Sequence, residues 1–147
     1  EELHSFINQL KQKYTMEKIH TKCKPMFNHE YALAKLQNEG YKIAVCSNSV
    51  RKTIEEMMDY AHLSRYLDLI ISNEDVKRAK PDPEMYICAI NKFGFNPEEC
   101  IVVEDNPIGV KAGMASGAFV LQVSTVYDVN YENIRNKIKE CEMMHND

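Results

Sequence analysis

The sequence predicts an α/β fold, a doubly wound parallel sheet with helices on both faces. Short apolar runs of strand length alternate with segments of helical periodicity. Most of these runs are apolar almost throughout, as is typical of parallel strands that are buried on both faces. The predicted strands lie at 41–46, 68–72, 100–104 and 118–122.

Amphipathic patterns predict the helices between these strands. They lie at 2–14, 28–39, 50–60, 84–93, 111–117 and from 128 to the end of the chain. Gly40 and Gly94 follow two of them directly, and glycine is favoured after the last turn of a helix. Ser49 is a plausible N-cap for the helix at 50–60, and Pro83 suits the first turn of the helix at 84–93.

The composition is that of one ordinary globular domain. The chain has 147 residues, of which 44% are apolar and 27% charged, which is enough for a real core. The net charge is −4 with acids and bases interspersed, so no basic surface for nucleic acid or membrane is indicated. No apolar run approaches the roughly 20 residues that a membrane span needs.

The cysteines indicate a reduced protein. Their odd number, the lack of a CxxC pair and their place in apolar runs argue against a disulfide framework or a zinc site. With no visible signal peptide, we expect a cytoplasmic location. The chain does not begin with Met, and we expect it to be a piece of something longer.

Polar side chains follow the predicted strands at their carboxyl ends. Ser47 and Asn48 come directly after the first strand, Glu104 and Asp105 end the third, and Lys80 lies on the loop after the second. Because parallel strands present their carboxyl ends along one edge, these groups are expected to converge. A hydroxyl and a lysine suit a phosphate group, and paired carboxylates suit Mg²⁺.

Each of these features also has a plainer interpretation. A serine after a strand often caps a helix, adjacent acids in a loop are usually solvated, and a lone lysine usually lies on the surface. Only their order along the chain and their shared edge favour a site.

Three segments resemble motifs of the haloacid dehalogenase superfamily, closest to its branch of β-phosphoglucomutase-like phosphatases and mutases. The segments are 45–49, 80–86 and 102–113. The combination of K-P-D-P with E-D-N-P-x-G-x-x-A-G is specific to that superfamily, and the resemblance covers roughly residues 25–125. It implies the superfamily's Rossmann-like core.

The resemblance also implies roles for the residues at the sheet edge. Ser47, Asn48 and Lys80 would bind the phosphorylated substrate, with Ser47 and Lys80 taking part in catalysis. Asp105 and Glu104 would hold Mg²⁺ as the cofactor. The implied reaction is hydrolysis of a small, sugar phosphate-like metabolite through an aspartyl-phosphate, with phosphomutase activity or a non-catalytic binding module as alternatives.

The superfamily's first motif, an Asp-x-Asp after the first strand, is missing from this chain. By the resemblance that strand is central, between the strands at 41–46 and 100–104, and the motif carries the nucleophile. Buried unpaired backbone groups cost about 1–3 kcal/mol each, against a net domain stability of about 5–15 kcal/mol. We therefore expect an upstream segment, another chain or a rearranged pairing to complete the sheet, and we expect this chain alone to be inactive.

The same reasoning divides the chain into three parts. Residues 1–24 would be the C-terminal part of a helical cap, 25–127 the α/β core, and 128–147 a C-terminal helix and tail. The expected partners are a small phosphorylated substrate and whatever completes the sheet, with no nucleic acid and no membrane.

Overall fold

The structure is a computed structural model, and it describes residues 24–145. The predicted helix at 2–14, and all but the last residue of the predicted cap segment, lie outside the described residues. Within them, helices and strands alternate as predicted, in the order α1 (Phe27–Asn38), β1 (Ala44–Cys46), α2 (Arg51–Tyr60), β2 (Leu69–Ile71), α3 (Glu84–Phe93), β3 (Ile101–Glu104), α4 (Pro107–Ala115), β4 (Phe119–Gln122) and α5 (Tyr131–His145).

The four strands of the described part form two separate parallel pairs. β1 pairs with β2, with Ala44 opposite Leu69, and β3 pairs with β4, with Ile101 opposite Phe119. The parallel α/β class is thus confirmed. The division between the pairs is where the resemblance puts the missing central strand.

Side chains of β3 show that both faces of the sheet are covered. Ile101 and Val103 pack on one face with residues of α1 and α5, while Val102 packs on the other with residues of α3 and α4. Neighbouring residues of a strand point to opposite faces, so this split is the expected one. Ile43, next to β1, joins the same cluster as Ile101, and Cys46 joins that of Val102. β1 therefore lies on the side of its pair that faces β3.

Several predicted helix ends are confirmed. α3 ends at Gly94 in the left-handed conformation (φ 74°), and Gly40, with φ 92°, follows the last turn of α1. The amphipathic interpretation of the C-terminal helix is confirmed too, because Ile134 and Ile138 of α5 are buried in the core. No helix of the described part is long and apolar enough to cross a membrane.

The predicted cap of α2 was wrong. Val50, not Ser49, precedes the helix, and no side chain of that residue caps it. The free backbone N–H of Arg51 instead donates to Glu74 Oε1 at 2.9 Å. Glu74 lies after β2, so the side chain that caps α2 comes from a distant part of the sequence. The residues next to the start of α2 therefore do not reveal this cap.

α4 begins four residues earlier than predicted. Asn106 accepts a hydrogen bond from the backbone N–H of Ile108 at 2.9 Å, and Pro107 occupies the first helical position. Both are favoured where they stand, because an Asn side chain satisfies a free N–H and proline has none to satisfy. Only the capping residue Asn106 therefore separates the acidic pair from the first turn of α4.

Candidate active site

The carboxyl edge of the sheet brings together residues from both strand pairs. Lys80 lies between β2 and α3, and Glu104 is the last residue of β3. The Lys80 Nζ donates to Glu104 Oε1 at 2.8 Å, and the two side chains are only 10% and 12% exposed. The predicted convergence of these two residues is therefore observed.

Glu104 is held on two further sides. The hydroxyl of Tyr86, on the first turn of α3, donates to the same Oε1 atom at 2.6 Å. On the other side lies Gly109 of α4, where an added Cβ would lie 2.1 to 2.3 Å from the three carboxyl atoms of Glu104. The absence of a side chain at Gly109 is thus what makes room for the carboxylate.

Burial keeps the neutral groups of this site protonated. Desolvation, followed by the hydrogen bond to Glu104, raises the pKa of Tyr86 far above its ordinary value, so its hydroxyl is a donor. Desolvation likewise raises the pKa of Cys46 to about 12. A thiol with such a pKa is neutral near pH 7, so Cys46 is not an activated nucleophile.

Asn48 fixes the backbone of Lys80. Its side-chain oxygen accepts from the Lys80 N–H at 3.0 Å, and its Nδ2 donates to the Lys80 carbonyl at 3.2 Å. The peptide bond between Lys80 and Pro81 is cis. Asn48 was assigned to substrate binding from the sequence; that assignment stays a prediction, and in the structure both polar atoms of the amide contact the lysine loop.

Ser47 follows β1 directly and is half-buried. Its N–H donates to the Ile71 carbonyl at 3.0 Å, and its Oγ accepts from the Ser49 N–H at 3.2 Å. The second bond uses a lone pair of the hydroxyl and leaves its proton available for an acceptor. The hydroxyl can therefore donate to an anionic ligand at this edge.

Asp105 is exposed at the same edge, one residue beyond Glu104. Carboxylate oxygens are the ligands that Mg²⁺ prefers, and the ion takes six oxygens in all. No group of three or more acidic, histidine or cysteine side chains that could hold a metal occurs within residues 24–145. The carboxylates of Glu104 and Asp105 are of the donor type that suits Mg²⁺, but these two side chains alone do not make up a shell of six oxygens.

The acidic residues after β2 serve the fold. Glu74 caps α2, and Asp75 accepts from Arg51 Nη2 at 3.0 Å and from the Ser72 N–H at 2.8 Å. Arg51 Nη2 also donates to the Ile70 carbonyl at 2.8 Å. These polar groups are thus engaged with one another and with the backbone.

Two residues of the site were assigned no role from the sequence. Tyr86 lies on the buried face of a helix, where an aromatic residue is most simply explained as core. Gly109 falls within a Pro/Gly segment predicted to be a loop. Gly109 can be recognised once it is known to lie inside a helix. Alanine stabilises a helix more than glycine does, so a glycine in a helix interior usually has a packing reason.

Comparison with known proteins agrees with this fold. The family model described as haloacid dehalogenase-like hydrolase matches residues 1–123. The chain belongs to this family. Its fold is also that of a β-phosphoglucomutase from Clostridium difficile, with a TM-score of 0.69 over 80% of this chain and 56% of that one, at 24% identity.

Two curated relatives are named as phosphatases. A phosphoglycolate phosphatase from Aquifex aeolicus is 30% identical over 105 residues, which are 71% of this chain and 49% of that protein. Hexitol phosphatase A from Escherichia coli is 41% identical over 61 residues, 42% of this chain and 28% of the relative. The chain thus spans about half or less of the length of these relatives.

Proposed function

We propose that this chain is the larger part of a Mg²⁺-dependent phosphohydrolase that acts on a small phosphorylated metabolite. The observation that carries the proposal is the buried ion pair between Lys80 and Glu104 at the carboxyl edge. Burying two charges costs several kcal/mol per ion, and apolar residues in their place are often as stable or more so. Compared with apolar residues in the same place, such a pair therefore adds little stability, so a function that needs the charges explains its presence better.

The remaining groups at the edge suit a phosphate ester. In the proposed site the Ser47 hydroxyl donates to a phosphoryl oxygen, and Lys80 offsets the negative charge of the phosphoryl group. Asn48 holds the lysine loop in place and lines the substrate site. Asp105 and Glu104 hold Mg²⁺, which when bound supplies positive charge to the phosphoryl oxygens.

The nucleophile of the proposed reaction is an aspartate outside this chain. Its carboxylate oxygen attacks phosphorus in line, the bond to the leaving alcohol oxygen breaks, and that oxygen takes up a proton. Water then attacks the phosphorus of the aspartyl-phosphate, which releases inorganic phosphate and restores the carboxylate. The two phosphatase relatives support the hydrolysis of a phosphorylated compound as the overall reaction.

We further propose that the strand carrying this aspartate lies between β1 and β3. The separation of the strand pairs supports this placement, as does the packing of Ile43 in one cluster with Ile101. An upstream segment is the favoured source and another chain the alternative. The proposed setting is the cytoplasm, consistent with the free thiols of Cys46, Cys88, Cys100 and Cys141.

The test is hydrolysis of an aryl phosphate by the full-length protein with Mg²⁺ and with a chelator. Turnover should require the metal and be lost in Asp105→Asn, while Glu132→Gln, which neutralises an exposed acid on α5, should leave it unchanged. A folded protein with neither turnover nor Mg²⁺ binding would refute the proposal. Conversion of a sugar phosphate into its isomer, without phosphate release, would instead establish the phosphomutase alternative.

A further inference from the structure

The Glu104 carboxylate has two unequal oxygens. Oε1 accepts from both Lys80 Nζ at 2.8 Å and the Tyr86 hydroxyl at 2.6 Å. Oε2 accepts no hydrogen bond from any residue between 24 and 145. One oxygen is therefore saturated by the protein, and the other is left for a ligand.

The donor from Tyr86 is fixed by the packing of its ring. Tyr86 is 8% exposed and packs in a cluster with Val102 and Ala112, against Cys46 and Val120. The Lys80 ammonium also lies 5.1 Å from the centre of this ring. The hydroxyl is thus held between the β1 and β3 strand ends, and the aromatic ring stabilises the lysine independently of the hydroxyl.

Gly109 limits the carboxylate from the opposite side. A Cβ added to Gly109 would lie 2.1 to 2.3 Å from the three carboxyl atoms of Glu104, which is too close for a carbon atom that is not bonded to them. The carboxylate therefore rests against the backbone of α4 while two donors hold Oε1. Together these contacts determine the direction in which Oε2 points.

We propose that Tyr86 is a positioning residue whose hydroxyl orients Glu104, so that Oε2 is presented to the Mg²⁺ ion of the site. This inference rests on the proposed function. A purely structural role for the hydroxyl would affect the stability of the fold and leave the affinity for metal unchanged. If the hydroxyl positions Glu104, its removal weakens metal binding.

The experiment compares Tyr86→Phe with wild type in the full-length protein. Phenylalanine keeps the ring and its contact with Lys80 and removes only the hydroxyl. The dissociation constant of Mg²⁺ is measured by calorimetry without substrate, and that of Mn²⁺ by electron paramagnetic resonance. Losing such a supporting hydrogen bond typically weakens metal binding about 10- to 100-fold, and we expect a loss in this range.

Tyr66→Phe is the matched control, because Tyr66 is also 8% exposed and packs in a different cluster with Ala61 and Leu63. It should leave metal affinity unchanged. In turnover assays Tyr86→Phe should raise the Mg²⁺ concentration that gives half-maximal activity. The KM for an aryl phosphate, measured at saturating Mg²⁺, should rise less.

The outcomes separate the two proposals. Wild-type turnover that requires Mg²⁺, with unchanged metal affinity in Tyr86→Phe, would overturn this inference alone. No metal binding by the wild type would overturn it together with the proposed function. If Tyr86→Phe fails to fold, Gly109→Ala displaces the same carboxylate from the other side, and an unchanged metal affinity there would contradict the proposed geometry.

Discussion

The two strand pairs carry different chemistry at the same edge. After β1 and β2 come Ser47 and Lys80, whose hydroxyl and ammonium suit an anion. After β3 come Glu104 and Asp105, whose carboxylates suit a cation. β1 and β2 thus belong to the proposed anion-binding half, and β3 and β4 to the proposed cation-binding half. The contact between Lys80 and Glu104 is where the two halves meet. Because each half supplies only one kind of group, a site that uses both depends on how the two halves are held together.

Side chains of helices connect the halves on both faces. Tyr86 of α3 contacts the end of β3 on one face, and Leu36 of α1 packs with Ile134 of α5 on the other. The polar groups of the first half are mostly engaged with its own backbone, as with Asn48 and Glu74. The first half is thus organised by hydrogen bonds in its loops, and the second by close packing of α4.

The largest expected effect follows from breaking the ion pair. Lys80→Met leaves the mostly buried Glu104 carboxylate without its cation, and removing one partner of a buried pair typically costs about 3–5 kcal/mol. Adding Glu104→Gln should recover most of this loss, because Gln is neutral and still accepts from Tyr86. Urea unfolding of wild type and both variants measures the free energies. Equal stability of wild type and Lys80→Met would show that the pair does not connect the halves.

The same two variants separate stability from function. Neither should hydrolyse an aryl phosphate in the full-length protein, since both lack the ammonium that we propose to offset phosphate charge. Turnover restored in the double variant along with stability would mean that Lys80 acts only through folding.

A smaller effect distinguishes two glycines of α4. A Cβ at Gly113 would lie 3.0 Å from both Val102 and Val120, so Gly113→Ala should loosen the packing of α4 on β3 and β4. Such overpacking typically costs about 1–3 kcal/mol. Gly109→Ala instead displaces the Glu104 carboxylate from Lys80 and Tyr86, and the higher helix propensity of Ala, about 1 kcal/mol, offsets only part of that loss. We expect both variants to be less stable than wild type by urea unfolding, but only Gly109→Ala to weaken Mg²⁺ binding by calorimetry. Weaker Mg²⁺ binding in Gly113→Ala than in Gly109→Ala would contradict the contacts described for the two glycines.

The smallest expected effect is a loss of stability as the pH falls into the acidic range. The Ser72 backbone N–H is the main cause that lowers the pKa of Asp75, and the Lys77 and Arg78 N–H groups lower the pKa of Glu84. A carboxyl with a lowered folded-state pKa stabilises the protein above its unfolded value, about 4, and loses this contribution as the pH falls through the folded value. Both groups are accessible to solvent, so the effect is small.

Urea unfolding between pH 7 and pH 3 tests this prediction. Stability should fall below about pH 4, with a shallower slope in Asp75→Asn than in the control Glu132→Gln. A slope that Asp75→Asn leaves unchanged would mean that its loop hydrogen bonds are not kept in solution.

The sequence was sufficient for features that depend on local pattern and chain order. The strands, the end of α3 at Gly94, and the meeting of Lys80 with Glu104 follow from apolar runs, turn residues and the geometry of a parallel sheet. It was insufficient where a distant partner decides the outcome. Glu74 caps a helix that begins 23 residues earlier in the chain, and Tyr86 fits a core position equally well without its hydroxyl.

Mg²⁺-dependent hydrolysis of an aryl phosphate by residues 1–147 alone, compared with the full-length protein, tests the central claim most directly. The claim is that these residues hold the Lys80 and Asp105 parts of a site whose nucleophile comes from a strand outside them. The account predicts turnover only in the full-length protein. Turnover by the 147 residues that Asp105→Asn abolishes would show that the nucleophile is within this chain and contradict the account.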